Sequence, residues 1–352
     1  MKYPITFLLL TLLLASACTP GTPDSRLAQI EAHDKAVYIH DHWIRDPYIY
    51  LHSDGYYYLT GTTLKTGPDE IVGIYAWKSR DLVEWEMLPR LWRFADSSWM
   101  LDHMLATGSE HIERNGPLVW APELYFIDGR WVITHTSNGR AANLMVNDSI
   151  ELEPPFIEPM AGEFGRRHDP AFFLEDGVTW LVWGCTRIAP LKPDFSGFAG
   201  EEVAIGPSNR KMGHEGAYIR KIGGKYVLFG TAWSTDTMRH GTYNLYYCTS
   251  DSLTGPYSER RFAGRFLGHG TPFQDKAGRW WCTAFYNANE DTISDDQSGD
   301  AFSDTAYTVN KQGTTIVPLD IQFVDGDVFI RAKDARYASP GGEEVQQFPE
   351  LD

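Results

Sequence analysis

Cysteine is scarce in this 352-residue chain, with four residues at positions 18, 185, 248 and 282. Cys18 follows an apolar leader, and the other three form an odd set, each within an apolar strand-like stretch. That argues against a disulfide framework and for buried free thiols. No CxxC pair, HExxH helix or Gly-rich phosphate loop occurs, so zinc hydrolysis and nucleotide chemistry lack their usual residues. Basic side chains are also in short supply: 31 Lys and Arg stand against 47 Asp and Glu, a formal net charge of −16. A phosphate-rich partner needs a basic face, so neither nucleic acid nor an anionic membrane surface is expected as a partner. The apolar run "ITFLLLTLLL" is too short to span a bilayer.

That run reads instead as the h-region of an export signal, with Lys2 ahead of it and Ala15-Ser16-Ala17 after it. Residues 1–17 are therefore expected to be a signal peptide. The A-x-A site fits ordinary cleavage and secretion, while Cys18 immediately after it resembles the lipidated cysteine of bacterial lipoproteins, which is the favoured assignment. Membrane association would then run only through a lipid at Cys18, and Thr19 would permit sorting to an outer membrane. "TPGTPDS" begins a tether, placed at 18–36, ahead of one large domain at 37–352.

Aromatic residues, by contrast, are plentiful: 14% of the chain, with twelve tryptophans. Flat rings stack on sugar faces, and strands also favour them. Self-similarity narrows the choice. "RDPYIYLHSDGYYYLTGTT" from Arg45, "WAPELYFIDGRWVITHTS" from Trp120, "HDPAFFLEDGVTWLVWGCT" from His168, "HEGAYIRKIGGKYVLFGTAW" from His214 and "GHGTPFQDKAGRWWCTAFYN" from Gly268 share one pattern. Each carries a small or polar residue, an apolar pair, a turn ending in glycine and an aromatic-rich alternating strand, a β-hairpin repeated five times. Spacings of about fifty residues fit four-stranded blades, so the expected fold is an all-β, five-bladed β-propeller. One longer gap holds an insertion at Leu88 to Leu118 with Trp92, Trp99 and His103, a length often found over a functional face.

Counting back from the turn glycines aligns Asp46 (nine before Gly55), Glu215 (nine before Gly224) and His269 (nine before Gly278). Asp169 lies eight before Gly177, and Trp120 occupies the position in the second hairpin. Equivalent ends of innermost strands surround one axis, so three carboxylates and an imidazole are expected in one pocket. Clustered carboxylates repel and cost stability unless chemistry or an ion compensates.

The set "RDP", "WAPE", "HDP", "HEG" and "GHG", with "SRDLVEW" and "SLTGPY", resembles glycoside hydrolase family 43, over about Val37 to Arg336. The resemblance implies a five-bladed propeller that cleaves arabinose-, xylose- or galactose-containing glycans by inversion, and the leader places it facing a glycan-containing compartment. It implies Asp46 as general base, Glu215 as general acid and Asp169 as the residue that tunes the acid and orients substrate. His269 would stand near the axis, where a calcium or sodium ion could be held through water; no other cofactor is implied. Trp120 would either stack on the reacting sugar or pack the core. The acid motif departs from the family's usual "EGP" at Ala217. Two alternatives stay open: a related propeller hydrolase acting on modified or marine sugars, and a carbohydrate-binding propeller without catalysis.

Overall fold

A computed structural model describes residues 25–63, 72–106, 110–238, 240–285, 287–288, 306–307 and 313–348. The leader and Cys18 lie outside the described residues. Each of the five repeated segments folds as an antiparallel hairpin, and the hairpins are the inner halves of five blades. The first blade comprises Arg45–Leu51, Tyr57–Thr62, Trp77–Ser79 and Glu86–Met87 in that order. The third comprises Ala171–Glu175, Val178–Trp183, Arg187–Pro190 and Val203–Ala204, and the fourth Glu215–Ile222, Lys225–Trp233, Tyr243–Ser250 and Arg261–Gly264. The second has three strands, Val119–Ile127, Arg130–Ser137 and Ala142–Asn147, with an isolated Val146–Ile157 bridge at its outer edge. In the fifth, Pro272–Gln274, Trp280–Ala284 and Thr314–Val324 are completed by Val37–His40 from the start of the domain, with Val37 opposite Ile316. This pairing closes the ring, because the outermost strand of the last blade comes from the other end of the chain.

Second and third strands such as "KYVLFGTAW" and "YNLYYCTS" are buried almost throughout, as β-branched and aromatic runs clad on both faces should be. Neighbouring blades are stitched by threonines at matching places on the second strands. Thr60 donates to the carbonyl of Pro122 at 2.7 Å, Thr134 to that of Pro170 at 2.7 Å, and Thr283 to that of Pro47 at 2.5 Å. Each bond satisfies a carbonyl that the inner strand's irregular start leaves without a ladder partner.

The start of the domain differs from the sequence expectation, and the insertion takes a definite form. Residues placed in the tether include a helix, Ser25–Ala32, whose Ile30 is buried. After it, His33 Nε2 lies 2.8 Å from the carbonyl of Trp280, and the backbone N–H of Ala36 donates to Asp334 at 2.8 Å, so residues 25–36 are fastened to the fifth blade. The 88–118 insertion contains the helices Met100–Ala106 and Glu110–Asn115. Met100 and Met104 are buried with Trp92 against Trp131, Ile133 and Met145 of the second blade. Trp92 is thus a core residue, while Trp99 is half-buried beside His103, with ring centroids 5.7 Å apart.

Candidate active site

The inner strands do not begin as regular ladder. In the first, second and fourth blades the register slips between Arg45 and Tyr48, between Trp120 and Glu123, and between Glu215 and Tyr218. At these slips, and at the matching points before the third and fifth inner strands, Asp46, Ala121, Asp169, Gly216 and His269 have left-handed φ values between 44° and 65°. Such a conformation costs a non-glycine residue roughly 1 kcal/mol or more and is tolerated best by Asp, Asn and His. Here it turns Asp46, Asp169 and His269 toward the axis.

The bulge corrects the alignment counted from the turn glycines. Leu51 and Tyr57 flank a five-residue turn in the first blade, whereas Ile222 and Lys225 flank a two-residue turn in the fourth. Glu215 is therefore equivalent to Arg45, Trp120 and His168, and Gly216 to Asp46. Glycine is required at 216: a Cβ there would lie 2.8 Å from the His269 ring, and φ is +65°. Glu215 enters from one residue earlier and reaches the same space with a longer side chain.

The four anticipated groups converge. Asp46 Oδ1 lies 3.1 Å from His269 Nδ1, and its Oδ2 accepts from Thr62 Oγ1 at 2.7 Å. The Thr62 hydroxyl in turn accepts the backbone N–H of Ala121 at 2.7 Å, tying the first blade's acid to the second blade. Asp169 Oδ1 accepts from Thr136 at 2.9 Å, while its Oδ2 lies 3.3 Å from His168 Nε2 and 3.6 Å from His269 Nε2. Glu215 Oε1 accepts from the Tyr243 hydroxyl at 2.7 Å and lies 3.8 Å from His269 Nδ1; its Oε2 lies 2.9 Å from His168 Nε2. Trp120, half-buried at the start of the second blade, stands at the position that holds His168 and Glu215 in theirs.

Two titratable members of this network, besides Thr62 and Thr136, were not singled out in the sequence. His168 precedes Asp169 and would have been found by aligning on the bulge, where it matches Glu215. Tyr243 begins a third strand whose residues are all buried, so nothing local separates it from core; its ring stacks on Trp233 at 4.4 Å.

Burial pushes every carboxyl here toward its neutral form, and the neighbours decide the outcome. For Asp46 the nearby His269 imidazole, Arg45 and the Thr62 hydroxyl outweigh burial, so its pKa falls below the ordinary value. Asp169 ends above its ordinary value, because burial and the Glu215 and Asp46 charges prevail over the two histidines. Glu215 is held well below the carboxylate range: the His168 hydrogen bond, the His269 and His168 charges and the Tyr243 hydroxyl together overcome burial. Both histidines move up against their own burial, His168 to about 9 through Asp169 and Glu215, and His269 to about 10 through Asp46 and Asp169. Asp169 was expected to keep Glu215 protonated. Instead the imidazoles of His168, 2.9 Å from Glu215 Oε2, and His269, 3.1 Å from Asp46 Oδ1, draw both carboxyls toward their ionised forms.

His168, Asp169 and Glu215 offer atoms within 4.8 Å of one another. A hard cation takes oxygen ligands. Here imidazole N–H groups already face carboxylate oxygens, a donor set suited to shared protons rather than to calcium or sodium.

Against this geometry, the family model for glycosyl hydrolases family 43 matches residues 39–322. The chain belongs to that family. It is 26% identical over 179 residues to an extracellular exo-alpha-(1->5)-L-arabinofuranosidase of Streptomyces avermitilis, covering 50% of this chain and 31% of that one. It is 24% identical over 237 residues to extracellular endo-alpha-(1->5)-L-arabinanase 1 of Bacillus subtilis, covering 62% and 69% respectively. The family 43 chain thus spans less than a third of the first relative's length. Among solved structures, the family 43 BlXynB protein from Bacillus licheniformis superposes with a TM-score of 0.60 at 19% identity, over 90% of this chain and 60% of that one. An exo-1,5-alpha-L-arabinanase from a bovine ruminal metagenomic library gives 0.56 at 18% identity, over 84% and 98%. At such identities these structures attest the fold.

Proposed function

We propose that this family 43 member hydrolyses glycosidic bonds of arabinose-, xylose- or galactose-containing glycans with inversion at the anomeric carbon. The observation that carries the proposal is the convergence of Asp46, Asp169 and Glu215 from three blades on His168 and His269 at one end of the axis. Inversion needs one carboxylate to activate water and one carboxyl to protonate the leaving oxygen from the opposite side of the sugar. Asp46, held ionised by His269, suits the first task. Glu215, on another blade and 31% exposed in its side chain, suits the second. Asp169 tunes the acid and orients substrate, and Trp120 offers a ring beside the reacting sugar. Arabinose-type substrates are favoured because the two relatives bear arabinofuranosidase and arabinanase names.

No cofactor enters these steps. A calcium or sodium ion on the axis would meet His269 through its water shell and leave the steps unchanged; activity abolished by exhaustive chelation would contradict this. Export agrees with relatives named as extracellular. Lipidation at Cys18 remains the favoured anchor: Cys18→Ala should move the protein from the membrane to the soluble fraction, and unchanged membrane association would rule the anchor out.

The function is tested by assaying aryl glycosides and defined oligosaccharides while following the product anomer by NMR. Turnover of arabinosides, xylosides or galactosides with inverted product is expected. Retained configuration would overturn the mechanism. Binding without turnover would favour a catalytically silent carbohydrate-binding propeller, and turnover of modified sugars alone would move the substrate class.

A further inference from the structure

Glu215 presents a difficulty for any acid/base scheme. It must be protonated when the glycosidic oxygen leaves, yet its surroundings hold it ionised. The source of its proton is visible in the geometry. Oε1 is already engaged by the Tyr243 hydroxyl at 2.7 Å, and Oε2 faces a single donor, His168 Nε2, at 2.9 Å. The same nitrogen lies 3.3 Å from Asp169 Oδ2, so the N–H that bonds Glu215 is also faced by a second carboxylate, from the third blade. His168 is fixed from behind, its carbonyl accepting the Gly184 N–H at 2.9 Å. It is also the most exposed member of the trio: its side chain is 42% accessible, against 31% for Glu215 and 2% for Asp169. The group that touches Glu215 is therefore the most open of the three to water.

We propose that His168 is a positioning residue that stores the proton Glu215 must donate, delivers it to Glu215 Oε2 when a sugar closes the site, and is recharged from solvent. This rests on Glu215 being the general acid, as proposed above. The charged and titratable groups facing His168 are Asp169 on its own segment, Glu215 from the fourth blade and, farther off, His269 from the fifth; Tyr243 stands behind Glu215. Arg167, its neighbour in sequence, turns away over the rings of Phe198 and Trp183, at 4.3 and 5.1 Å. In water the imidazolium–carboxylate pair is the stable form, in keeping with a His168 pKa raised to about 9. A sugar that displaces water lowers the local dielectric and favours the neutral pair, so the proton crosses an existing hydrogen bond. The steps balance. As the anomeric C–O bond breaks, its electron pair stays on the leaving oxygen, which takes the proton from Glu215. The attacking water forms the new C–O bond and gives its proton to Asp46. Solvent then returns a proton to His168 and removes one from Asp46.

The test uses the full chain with His168→Gln and His168→Ala, comparing kcat/KM against pH on an oligosaccharide with a poor leaving group and on an activated aryl glycoside. On the oligosaccharide both variants should lose about 10- to 100-fold, and on the aryl glycoside only a few-fold, because its leaving group needs little protonation. The alkaline limb on the oligosaccharide should move to lower pH, since Glu215 alone would have to hold the proton. Added imidazole should restore part of the His168→Ala rate through the exposed position and leave the wild type unchanged. An unmoved alkaline limb with equal losses on both substrates, or no imidazole rescue, would overturn the proposal and leave His168 a purely structural residue. Glu215→Gln run in parallel separates the two claims. If it is impaired equally on both substrates, the assignment of the acid fails; if its loss depends on the leaving group while the His168 variants' losses do not, only the role of His168 fails.

Discussion

Two glutamates on the same axis, one half-buried and one buried, reach opposite electrostatic ends. Glu215, at the mouth of the inner-strand ring, is held far below its ordinary pKa. Glu123, one step further along the inner strand of the second blade and 2% exposed, is pushed up to about 7. Burial raises both. The difference lies in their partners: Glu215 faces the imidazoles of His168 and His269, whereas Glu123 is met by the hydroxyls of Tyr125 and Tyr218, with Arg220 and His269 acting only at longer range. Hydroxyls satisfy a carboxyl without charge, so Glu123 tends toward its neutral form and belongs to the packing around Tyr48, Tyr125 and Tyr218. Imidazoles supply both charge and protons. The mouth of the ring is thus charged and exchangeable, and the level beneath it is close-packed and tends to neutrality.

The largest effect is expected at the charged level. Asp46→Asn should lose about 10²- to 10⁴-fold in kcat/KM on good and poor leaving groups alike, because water must be activated whatever departs. A loss confined to poor leaving groups would exchange the assignments of Asp46 and Glu215.

At the packed level the effect should appear in stability. A folded-state pKa of about 7 for Glu123, against an ordinary value of 4.5, means that the folded chain binds the extra proton. The contribution is complete below pH 4.5, declines as pH rises toward 7 and falls no further above it. Glu123→Gln cannot titrate. Its stability relative to the wild type should therefore rise across that interval, by on the order of 3 kcal/mol if the whole shift is realised. Thermal unfolding of both proteins from pH 4 to 8 measures it, and parallel curves would remove Glu123's buried titration from the account. Activity should keep its pH profile in Glu123→Gln, since neither Asp46 nor Glu215 bonds to it.

The smallest effect should come from the residue that couples the histidines. Asp169→Asn keeps an acceptor for Thr136 but removes the anion beside His168 and His269. The proton on the His168–Glu215 pair should then be lost at lower pH, moving the alkaline limb of kcat/KM down by about one unit. An alkaline limb that stays in place or moves up would show that Asp169 acts on geometry alone.

Much of this arrangement was legible in the sequence because it repeats. Five hairpins at one period specify the ring, and Asp46, Asp169, Glu215 and His269 stood out because acids and imidazoles recur at one end of four of the five units. The register was less legible. Turn glycines misplace Glu215 by one residue, because turns of five and two residues carry their glycine at different distances from the strand. His168 was hidden by that same offset. Ring closure through Val37 and Ile316 leaves no local trace, since its partners come from opposite ends of the domain. Tyr243 lies in a strand buried along its full length, where a hydroxyl aimed at Glu215 looks like one more core aromatic.

The central claim is that Glu215 supplies the proton to the leaving oxygen, and its most direct test is the ratio of two rate losses in Glu215→Gln. One is measured on an oligosaccharide whose leaving alcohol must be protonated, the other on an activated aryl glycoside of the same sugar. The account predicts a loss of roughly 10²- to 10⁴-fold on the first and only a small loss on the second. Equal losses on both would contradict it.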